Sequence, residues 1–375
     1  MSGASVRMRD VGVMTATTVG AGIFSLPYVF KEAGLFAGAF YLLVLSCIVI
    51  SVHFLYWEVL KRTGGGLRLL GLAREYGGLV GYGVAFGAII IGLLLTLVAY
   101  IILGGEFLSL IFPSLSREGS AVLFWFLSTI PLLLKDRRLL GFEVVGAWFI
   151  IAAVGFVFIK GFGNSGGFFL NLPAFVPENF FLPFGPVLFS LAGWTAIEPL
   201  FDEEKKDHAT PLSAAKSLTI GTFFSAFLYA AFVGGIFGSV SQITPDTVSG
   251  LLASGWSAVA LAVIGILGIF AIWTSYLPVA IEIRNSLVRD CQWKKNLALS
   301  VVGSLPLILF GMGFTHFLGV LSLAGGVFVS IQYFIILFVG MKVLKPRGVA
   351  KTAFVLLSAV FAFAAVYSAA QFVVR

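Results

Sequence analysis

The residues with the clearest chemical potential in this sequence are small ones, placed where a membrane helix should not contain them. Residues 19–27 read VGAGIFSLP and lie in the middle of the first long apolar stretch. Gly destabilises a helix by about 1 kcal/mol relative to Ala, and Pro lacks a backbone donor. Because lipid offers no hydrogen-bond partner, backbone groups freed here must face protein, water or a ligand. We therefore expect a broken helix whose second half begins near Gly22, Ile23 and Phe24 and presents its N–H groups to an anion such as a carboxylate.

A second small-residue pair, Ala192-Gly193, interrupts a later apolar stretch, and Trp194 follows it directly. The carbonyl groups that end the half-helix before Gly193 could accept hydrogen bonds from an ammonium group. Facing donor and acceptor ends suit a zwitterion of amino-acid size, for which Gly193 would leave space and Trp194 would form an aromatic wall. The alternative is that the small residues only allow close helix packing and that Trp194 is an ordinary packed side chain.

Three polar side chains near these breaks could bind a coupling ion. Glu198 follows the second break by about one helical turn and could carry a proton; alternatively, it is a solvated charge that leads the acidic stretch 202–204. Thr274 and Ser275 could join carbonyls of the first break around Na⁺. The alternative for this pair is the routine bonding of Thr and Ser hydroxyls to their own helix backbone.

Composition places these residues in a membrane. Hydrophobic residues make up 59% of the 375 residues and charged residues 11%, with a mean hydropathy of +1.05; a soluble domain has about 25% charged residues. Runs of about 20 apolar residues predict transmembrane helices. Eleven such spans, numbered here in chain order, are predicted at about 10–33, 35–60, 80–112, 119–134, 139–161, 183–201, 212–240, 256–288, 296–313, 315–342 and 349–373.

The basic residues predict how the spans are oriented. With a cytoplasmic N-terminus, the inner side collects all but four of the 24 Lys and Arg residues, and the outer side holds Lys31, Arg117, Lys160 and Arg375. This asymmetry satisfies the positive-inside rule and places the C-terminus outside. The net charge of +7 therefore indicates orientation rather than nucleic-acid binding. We expect a multi-pass protein of a prokaryotic cell membrane.

The spacing of the spans predicts an internal repeat. Spans 2 to 5 and spans 7 to 10 start at a nearly constant offset, for example near 35 and 212. Because five is odd, a second five-span unit must cross the membrane in the opposite direction, as in one large transporter class. We predict one domain, residues 1–375, with repeats at about 8–161 and 183–342 and an extra helix at about 349–373. The repeat requires span 6 to be broken like span 1.

No motif of an enzyme is found. The sequence has no phosphate-binding P-loop, no zinc-spaced His and Cys cluster and no nucleophile elbow. Its two cysteines, Cys47 and Cys291, predict neither a disulfide framework nor chemistry. We expect no enzymatic activity, no cofactor and no metal ion other than Na⁺ as a coupling ion.

Three motifs, in this order along the chain, resemble the amino acid/auxin permease group of the APC superfamily and the related bacterial tryptophan/tyrosine permeases. They are residues 19–27 in span 1, residues 188–194 (LFSLAGW) in span 6 and residues 271–277 (AIWTSYL) in span 8. Residues 283–286 (IRNS) are similar to a motif of the eukaryotic neutral amino acid members. The resemblance covers essentially the whole chain.

The resemblance implies an all-α, APC/LeuT-like fold, with ten helices in two inverted repeats of five and one extra helix. It also implies uptake of amino acids driven by H⁺ or Na⁺. By the same resemblance, Gly20, Ala21 and Gly22 would hold the substrate carboxylate, and Ala192 and Gly193 would hold the amino group.

The ion site is also implied by the resemblance. Val19, together with Thr274 and Ser275, would line a Na⁺ position. One departure affects Glu198: family members often carry Pro-Glu after the break in span 6, whereas here Glu198 precedes Pro199.

Taken together, the residues and the resemblance predict a cation-coupled permease for aromatic or other neutral amino acids, working by alternating access in contact with membrane lipid. Two alternatives remain open. One is a membrane receptor or sensor on the same fold that binds its ligand without net flux. The other is a transporter of a different small solute such as a polyamine. The sequence predicts neither the oligomeric state nor which cation is coupled.

Overall fold

A computed structural model describes residues 8–133, 142–162, 172–207 and 211–374, and the regular structure of these ranges is entirely helical. Each predicted span corresponds to one helix or to a chain of helices. The bounds are Met8–Thr18, Ala21–Ser25 and Leu26–Ala33 for span 1; Leu35–Thr63 for span 2; Leu69–Phe86, Gly87–Ile91 and Gly92–Ile111 for span 3; Arg117–Thr129 and Ile130–Leu133 for span 4; Phe142–Phe162 for span 5; Phe184–Leu191, Trp194–Ala196 and Ile197–Asp207 for span 6; Pro211–Ser239 for span 7; Ala258–Asn285 and Ser286–Asp290 for span 8; Lys295–Gly311 for span 9; Phe317–Leu323, Ala324–Val329 and Ser330–Leu344 for span 10; and Gly348–Val374 for span 11. Residues 134 and 139–141, included in the predicted spans 4 and 5, lie outside the described residues.

Not every span reaches membrane length in the described ranges. Eight are long and apolar enough to cross a bilayer, and the bent pair of helices in span 1 makes a ninth. Spans 4 and 9 are shorter, since Arg117–Thr129 has 13 residues and Lys295–Gly311 has 17. A helix needs about 20 residues to cross without tilting or thinning the bilayer. Below, the inner side is the side predicted to be cytoplasmic, where residue 8 lies.

Span 1 is broken, as predicted. Its two halves, Met8–Thr18 and Ala21–Ala33, meet at an angle of 50°. Gly20 lies between them with φ −116° and ψ −144°, far from helical values. Pro27 lies in the first turn of the next α-helix, where a missing N–H removes no helical hydrogen bond. The glycine therefore permits the break, and the proline starts the second half.

Span 6 is broken at the corresponding place. Phe184–Leu191 ends at Ala192, which has φ −72° and ψ 86°. One tight turn, Trp194–Ala196, then leads into the helix Ile197–Asp207. Both predicted interruptions are thus confirmed, and they lie in equivalent spans of the two repeats.

Span 3 contains a further bend near its inner end. Gly78 has φ +63° and ψ −154°, a backbone conformation that favours glycine, and it separates residues 69–77 from the rest of the span. Residues 69–77 therefore form a short helix that is set off from the rest of span 3.

The other spans surround the two broken ones. Span 8 packs against spans 3 and 5, and span 7 packs against spans 1 and 5. Spans 5 and 7 approach closely, since a Cβ on Gly235 would lie 2.8 Å from Phe158 Cα. Span 10 packs against spans 2 and 11 and against the first half of span 6.

Candidate functional site

A cavity of about 40 Å³ lies between the two breaks. It is lined by residues of spans 1, 3, 6, 8 and 10: Thr17, Thr18, Gly20, Gly92, Leu93, Thr96, Tyr100, Phe189, Ala192, Trp194, Thr195, Val279, Val329 and Gln332. None of these residues is charged. Gly20, Ala192 and Trp194, three of the predicted binding residues, are among them.

Gly20 and Thr18 present the first break to the cavity. The hydroxyl of Tyr100, from span 3, lies so close to Gly20 that a Cβ there would be 2.5 Å from it. Thr18 is buried, and its Oγ1 has no hydrogen-bond partner among the described residues. A buried hydroxyl without a partner destabilises the protein. A ligand that forms a hydrogen bond with Thr18 would remove this cost, and the gain would add to its binding free energy.

Four other predicted binding residues pack instead of lining the cavity. Gly22 lies against span 6, where a Cβ would be 2.8 Å from Ser190 Cα. The space beside Gly193 is filled by Met14 and Thr18 of span 1, with Met14 Cε 2.6 Å from the position of a Cβ. The prediction that Gly193 leaves space for a substrate is therefore wrong in this conformation, because span 1 occupies that space. Ala21 and Ile23 are buried in the core.

Tyr229 of span 7 joins the two breaks. Its hydroxyl contacts the Thr18 carbonyl oxygen at 2.9 Å and also the Ser190 carbonyl oxygen. Both carbonyls lie near the ends of the first half-helices of spans 1 and 6, where the helix provides few donors; the one at Thr18 also accepts from the Gly20 N–H at 3.1 Å. The prediction that the carbonyls before Gly193 accept from an ammonium group is thus modified, because a side chain already serves the one at Ser190.

Trp194 is held in place by its indole nitrogen. Nε1 donates to Gln332 Oε1 at 2.8 Å, and Gln332 Nε2 donates to the Ala88 carbonyl at 2.8 Å. The ring of Trp194 also meets Tyr56 edge-to-face at 6.4 Å. Trp194 therefore forms a fixed wall of the cavity through span 10, a contact that sequence inspection did not find.

The predicted ion-site residues of spans 1 and 8 come together. Ser275 Oγ lies 3.5 Å from the Val19 carbonyl oxygen and donates to the Ala271 carbonyl at 3.0 Å. Thr274 Oγ1 bonds to the Phe270 and Ala271 carbonyls at 2.9 and 3.0 Å. Ser275 is thus the hydroxyl that meets the Val19 carbonyl, while Thr274 Oγ1 lies beside Gly146 of span 5. Both hydroxyls also bond to their own helix.

Glu198 lies inward of the cavity and is buried, so the reading of it as a solvated charge is wrong. Its carboxylate accepts from the Tyr56 hydroxyl, from Arg68 Nη1 and from the Leu69 backbone N–H, the last at 3.1 Å.

Arg68 belongs to the link between spans 2 and 3, where sequence reasoning assigned no role. Burial disfavours the charged guanidinium, but Glu282 and Glu198 hold the pKa of Arg68 above its ordinary range. Glu282, an acidic residue inside predicted span 8, was visible in the sequence and was missed.

Aromatic and ionic contacts close the outer side above the cavity. Phe24 contacts Phe107 and Phe232 edge-to-face at 4.9 and 5.2 Å. Glu106 Oε1 pairs with Arg117 Nε at 2.6 Å. Beyond this pair lies a vestibule of about 500 Å³ between the first half of span 6 and spans 10 and 11. Among the described residues, no group of three His, Cys, Asp or Glu side chains is placed to hold a metal ion.

Solved structures identify the fold. MhsT in complex with L-phenylalanine is similar over 97% of this chain and 98% of its own, with a TM-score of 0.63 and 14% identity. Mhp1, a nucleobase-cation-symport-1 family transporter with bromovinylhydantoin bound, is similar over 88% of this chain and 78% of its own, with a TM-score of 0.61 and 14% identity. The manganese transporter of Eremococcus coleocola is similar over 97% of this chain and 94% of its own, with a TM-score of 0.58 and 9% identity. No family model matches the sequence, and none of the curated proteins compared with it matches.

At these identities the similarity establishes the fold alone. The chain has the LeuT-like fold that was predicted, an all-α membrane fold with two broken helices. Of the proteins that share it here, Mhp1 and the Eremococcus coleocola protein are transporters.

Proposed function

We propose that this protein is a secondary active transporter of neutral amino acids, with the cavity between the two broken spans as its substrate site. One observation carries the proposal: two membrane helices are interrupted at equivalent positions and turn unwound backbone toward the same uncharged cavity. Half-helix ends bind the charged groups of small substrates in transporters built this way. Two of the three motifs that resemble the amino acid/auxin permease group, residues 19–27 and 188–194, contribute to this cavity. The third, residues 271–277, contacts the first through Ser275 and Val19, which supports membership of that group.

The uncharged lining favours a zwitterion over a charged solute. An amino acid carries one positive and one negative group, and backbone dipoles at helix ends can stabilise both. A polyamine carries several positive charges, which buried carboxylates would have to neutralise. The cavity lining has no carboxylate, so the polyamine alternative is disfavoured.

Aromatic surfaces favour a large apolar side chain on the substrate. Trp194, Tyr100 and Phe189 all border the cavity, and aromatic pairs add about 0.5–1.5 kcal/mol beyond the area they bury. The present volume of about 40 Å³ has room for only one or a few water molecules. Substrate entry therefore requires the walls to separate, which in alternating access means a movement of spans 1 and 6.

The test is a transport panel with purified protein in liposomes. We expect counterflow of at least one neutral amino acid, with accumulation when an H⁺ or Na⁺ gradient is imposed. Thr18→Val, which keeps the shape of the side chain and removes the unpartnered hydroxyl, should weaken substrate binding. Gly12→Ala, on the same half-helix with nothing within 4 Å of the added carbon, serves as its control.

Two outcomes would contradict the proposal. Movement of none of the twenty amino acids under either gradient would remove amino acid transport. Specific binding without counterflow would instead identify a receptor or sensor on the same fold.

A further inference from the structure

One guanidinium group is shared by two buried carboxylates at the inner ends of spans 6 and 8. Arg68 Nη1 donates to Glu198 Oε2 and, at 3.3 Å, to Glu282 Oε2. The two glutamates are 4% and 5% exposed. Because both accept from the same nitrogen atom, the two carboxyl groups are close neighbours. We call Arg68, Glu198 and Glu282 the Arg68 cluster.

The other charged groups around the cluster do not supply the missing positive charge. Arg289 and Asp290, in the last turn of span 8, carry one charge of each sign, and Asp202 adds a negative charge 3.9 Å from Arg68 Nη2. Tyr56 of span 2 is neutral. Arg284 lies two residues along the helix from Glu282, and residues so spaced do not share a helix face; it donates to the Asn285 side chain.

The two carboxyl groups are not equally well supplied with donors. Glu198 accepts from Arg68, Tyr56 and the Leu69 N–H, and several donors stabilise the ionised form of a carboxyl group. Glu282 accepts from Ser286 Oγ at 3.1 Å and from Arg68 at the longer distance of 3.3 Å. Glu282 therefore loses fewer stabilising hydrogen bonds than Glu198 does when it takes up a proton.

We propose that Glu282 binds the proton that drives substrate movement. The proposal rests on the transport function proposed above and names its coupling ion. Two carboxylates that share one site cannot both stay ionised without a large cost. A proton on Glu282 leaves Glu198 and Arg68 as a balanced pair while the inner side is closed. When the inner side opens, water reaches Glu282 and the proton leaves to it; no other bond is made or broken.

The helices connect this proton to the substrate cavity. Trp194 lines the cavity four residues before Glu198, and Val279 lines it three residues before Glu282. These spacings are about one helical turn, so each carboxyl group lies one turn inward of a wall of the cavity. Because substrate entry must displace the cavity walls, it also changes the distance between Glu198 and Glu282.

A second cavity gives the proton an exit toward the inner side. It has a volume of about 100 Å³, and the charged residues of its lining are Arg68, Glu198, Asp202, Arg289 and Asp290. Glu282 does not line this cavity but lies behind Arg68, so Arg68 must move before the proton can reach it. Arg289 is exposed, so the cavity borders the inner surface. In this scheme the proton reaches Glu282 from the central cavity when the outer side is open. It leaves through the second cavity when the inner side opens. The Na⁺ position expected at Val19, Thr274 and Ser275 shares no residue with the Arg68 cluster.

The experiment compares wild type with Glu282→Gln in liposomes without Na⁺, under an imposed pH difference and with an amino acid that the wild type exchanges. For one proton per substrate, a difference of one pH unit can drive up to about tenfold accumulation. We expect the wild type to accumulate substrate toward the alkaline side and to acidify that side, read with a trapped pH dye. Glu282→Gln should retain counterflow but neither accumulate substrate nor move protons. Glu282→Asp, which keeps a carboxyl group, should restore both.

The controls separate this proposal from the function it rests on. Glu58→Gln removes a carboxylate from an exposed pair with Arg62 at the same inner face and should behave as wild type. Counterflow by the wild type without proton movement overturns the proton site and leaves transport standing, and this result does not depend on whether any variant folds. Proton-driven accumulation by Glu282→Gln also overturns it. Absence of wild-type transport under every gradient removes the proposed function itself.

Discussion

Tyr229 connects the two interrupted helices through a single hydroxyl. A hydroxyl has one proton, so Tyr229 can donate to the Thr18 carbonyl or to the Ser190 carbonyl at one time. Both carbonyls belong to ends of half-helices that have few other donors. This side chain therefore keeps the two breaks together, and its loss should affect the site more than the scaffold.

We predict that Tyr229→Phe weakens substrate binding. Without the hydroxyl, the buried Ser190 carbonyl loses its donor and the two breaks lose the contact that joins them. This costs the joined, binding-competent arrangement about 1–3 kcal/mol, or roughly 5- to 150-fold in its population. The half-saturation concentration of counterflow measures this change. Tyr276→Phe is the matched control, because that hydroxyl lies 3.2 Å from Thr129 Oγ1 and joins spans 8 and 4. Equal effects of the two variants would show that Tyr229 has only a general structural role.

A second prediction concerns the oxygens at Val19, Thr274 and Ser275. Replacing both hydroxyl residues by Ala removes the side-chain ligands but keeps the helix backbone. We expect Na⁺ activation of counterflow to disappear in Thr274→Ala/Ser275→Ala, measured at fixed pH with Na⁺ replaced by choline. If Na⁺ activates the double variant as it does the wild type, these hydroxyls are not part of an ion site.

At this scale, sequence reasoning found residues on the broken helices and missed their partners. Gly20, Ala192 and Trp194 were identified because small residues in an apolar stretch signal a break. Tyr229, Gln332 and Tyr100 gave no comparable signal, since a single polar aromatic or amide residue in a membrane span is common. Their roles arise from contacts with residues far away in the sequence, such as that between Trp194 and Gln332, 138 positions apart.

At the scale of elements, the breaks themselves were predictable and the packing at them was not. Gly20 and Ala192 leave the helical region of φ and ψ, as the composition of the two stretches indicated. The sequence did not show that Gly22 and Gly193 serve the contact between spans 1 and 6. It also gave no sign of the π-helical segments Gly87–Ile91, Ser286–Asp290 and Ala324–Val329, because helix type depends on packing rather than on local propensity.

The close contact at Gly22 leads to a third prediction. A Cβ added there would lie 2.8 Å from Ser190 Cα and would also overlap Ser190 Oγ, so the second half of span 1 would have to move away from span 6. Overpacking of this kind costs about 1–3 kcal/mol. We expect Gly22→Ala to lower both thermal stability in detergent and the rate of counterflow. Gly155→Ala, in span 5 with no atom within 4 Å of the added carbon, should keep both at the wild-type level.

At the scale of the whole molecule, the two sides of the membrane are closed in different ways. The inner side is held by charged contacts: the Arg68 cluster and the pair of Arg9 Nη2 with Glu203 Oε1 at 2.7 Å. The outer side is held by the rings around Phe24 and the pair of Glu106 with Arg117. Separate closures on the two sides of a central cavity are what alternating access requires, because each can open while the other stays shut. The charge bias used to predict orientation thus also supplies the inner closure.

The predicted orientation has a direct test in Cys291, which follows the last turn of span 8 on the inner side. In a Cys47→Ala background, a membrane-impermeant maleimide should not label Cys291 in intact cells and should label it after permeabilisation. Burial raises the pKa of the Cys291 thiol, and since the thiolate is the reactive form, labelling of opened cells should accelerate as the pH is raised. Ser114→Cys in the Cys47→Ala/Cys291→Ala background, in the exposed link between spans 3 and 4, should be labelled in intact cells. Labelling of Cys291 in intact cells, with Ser114→Cys protected, would reverse the orientation and with it the side on which the Arg68 cluster releases its proton.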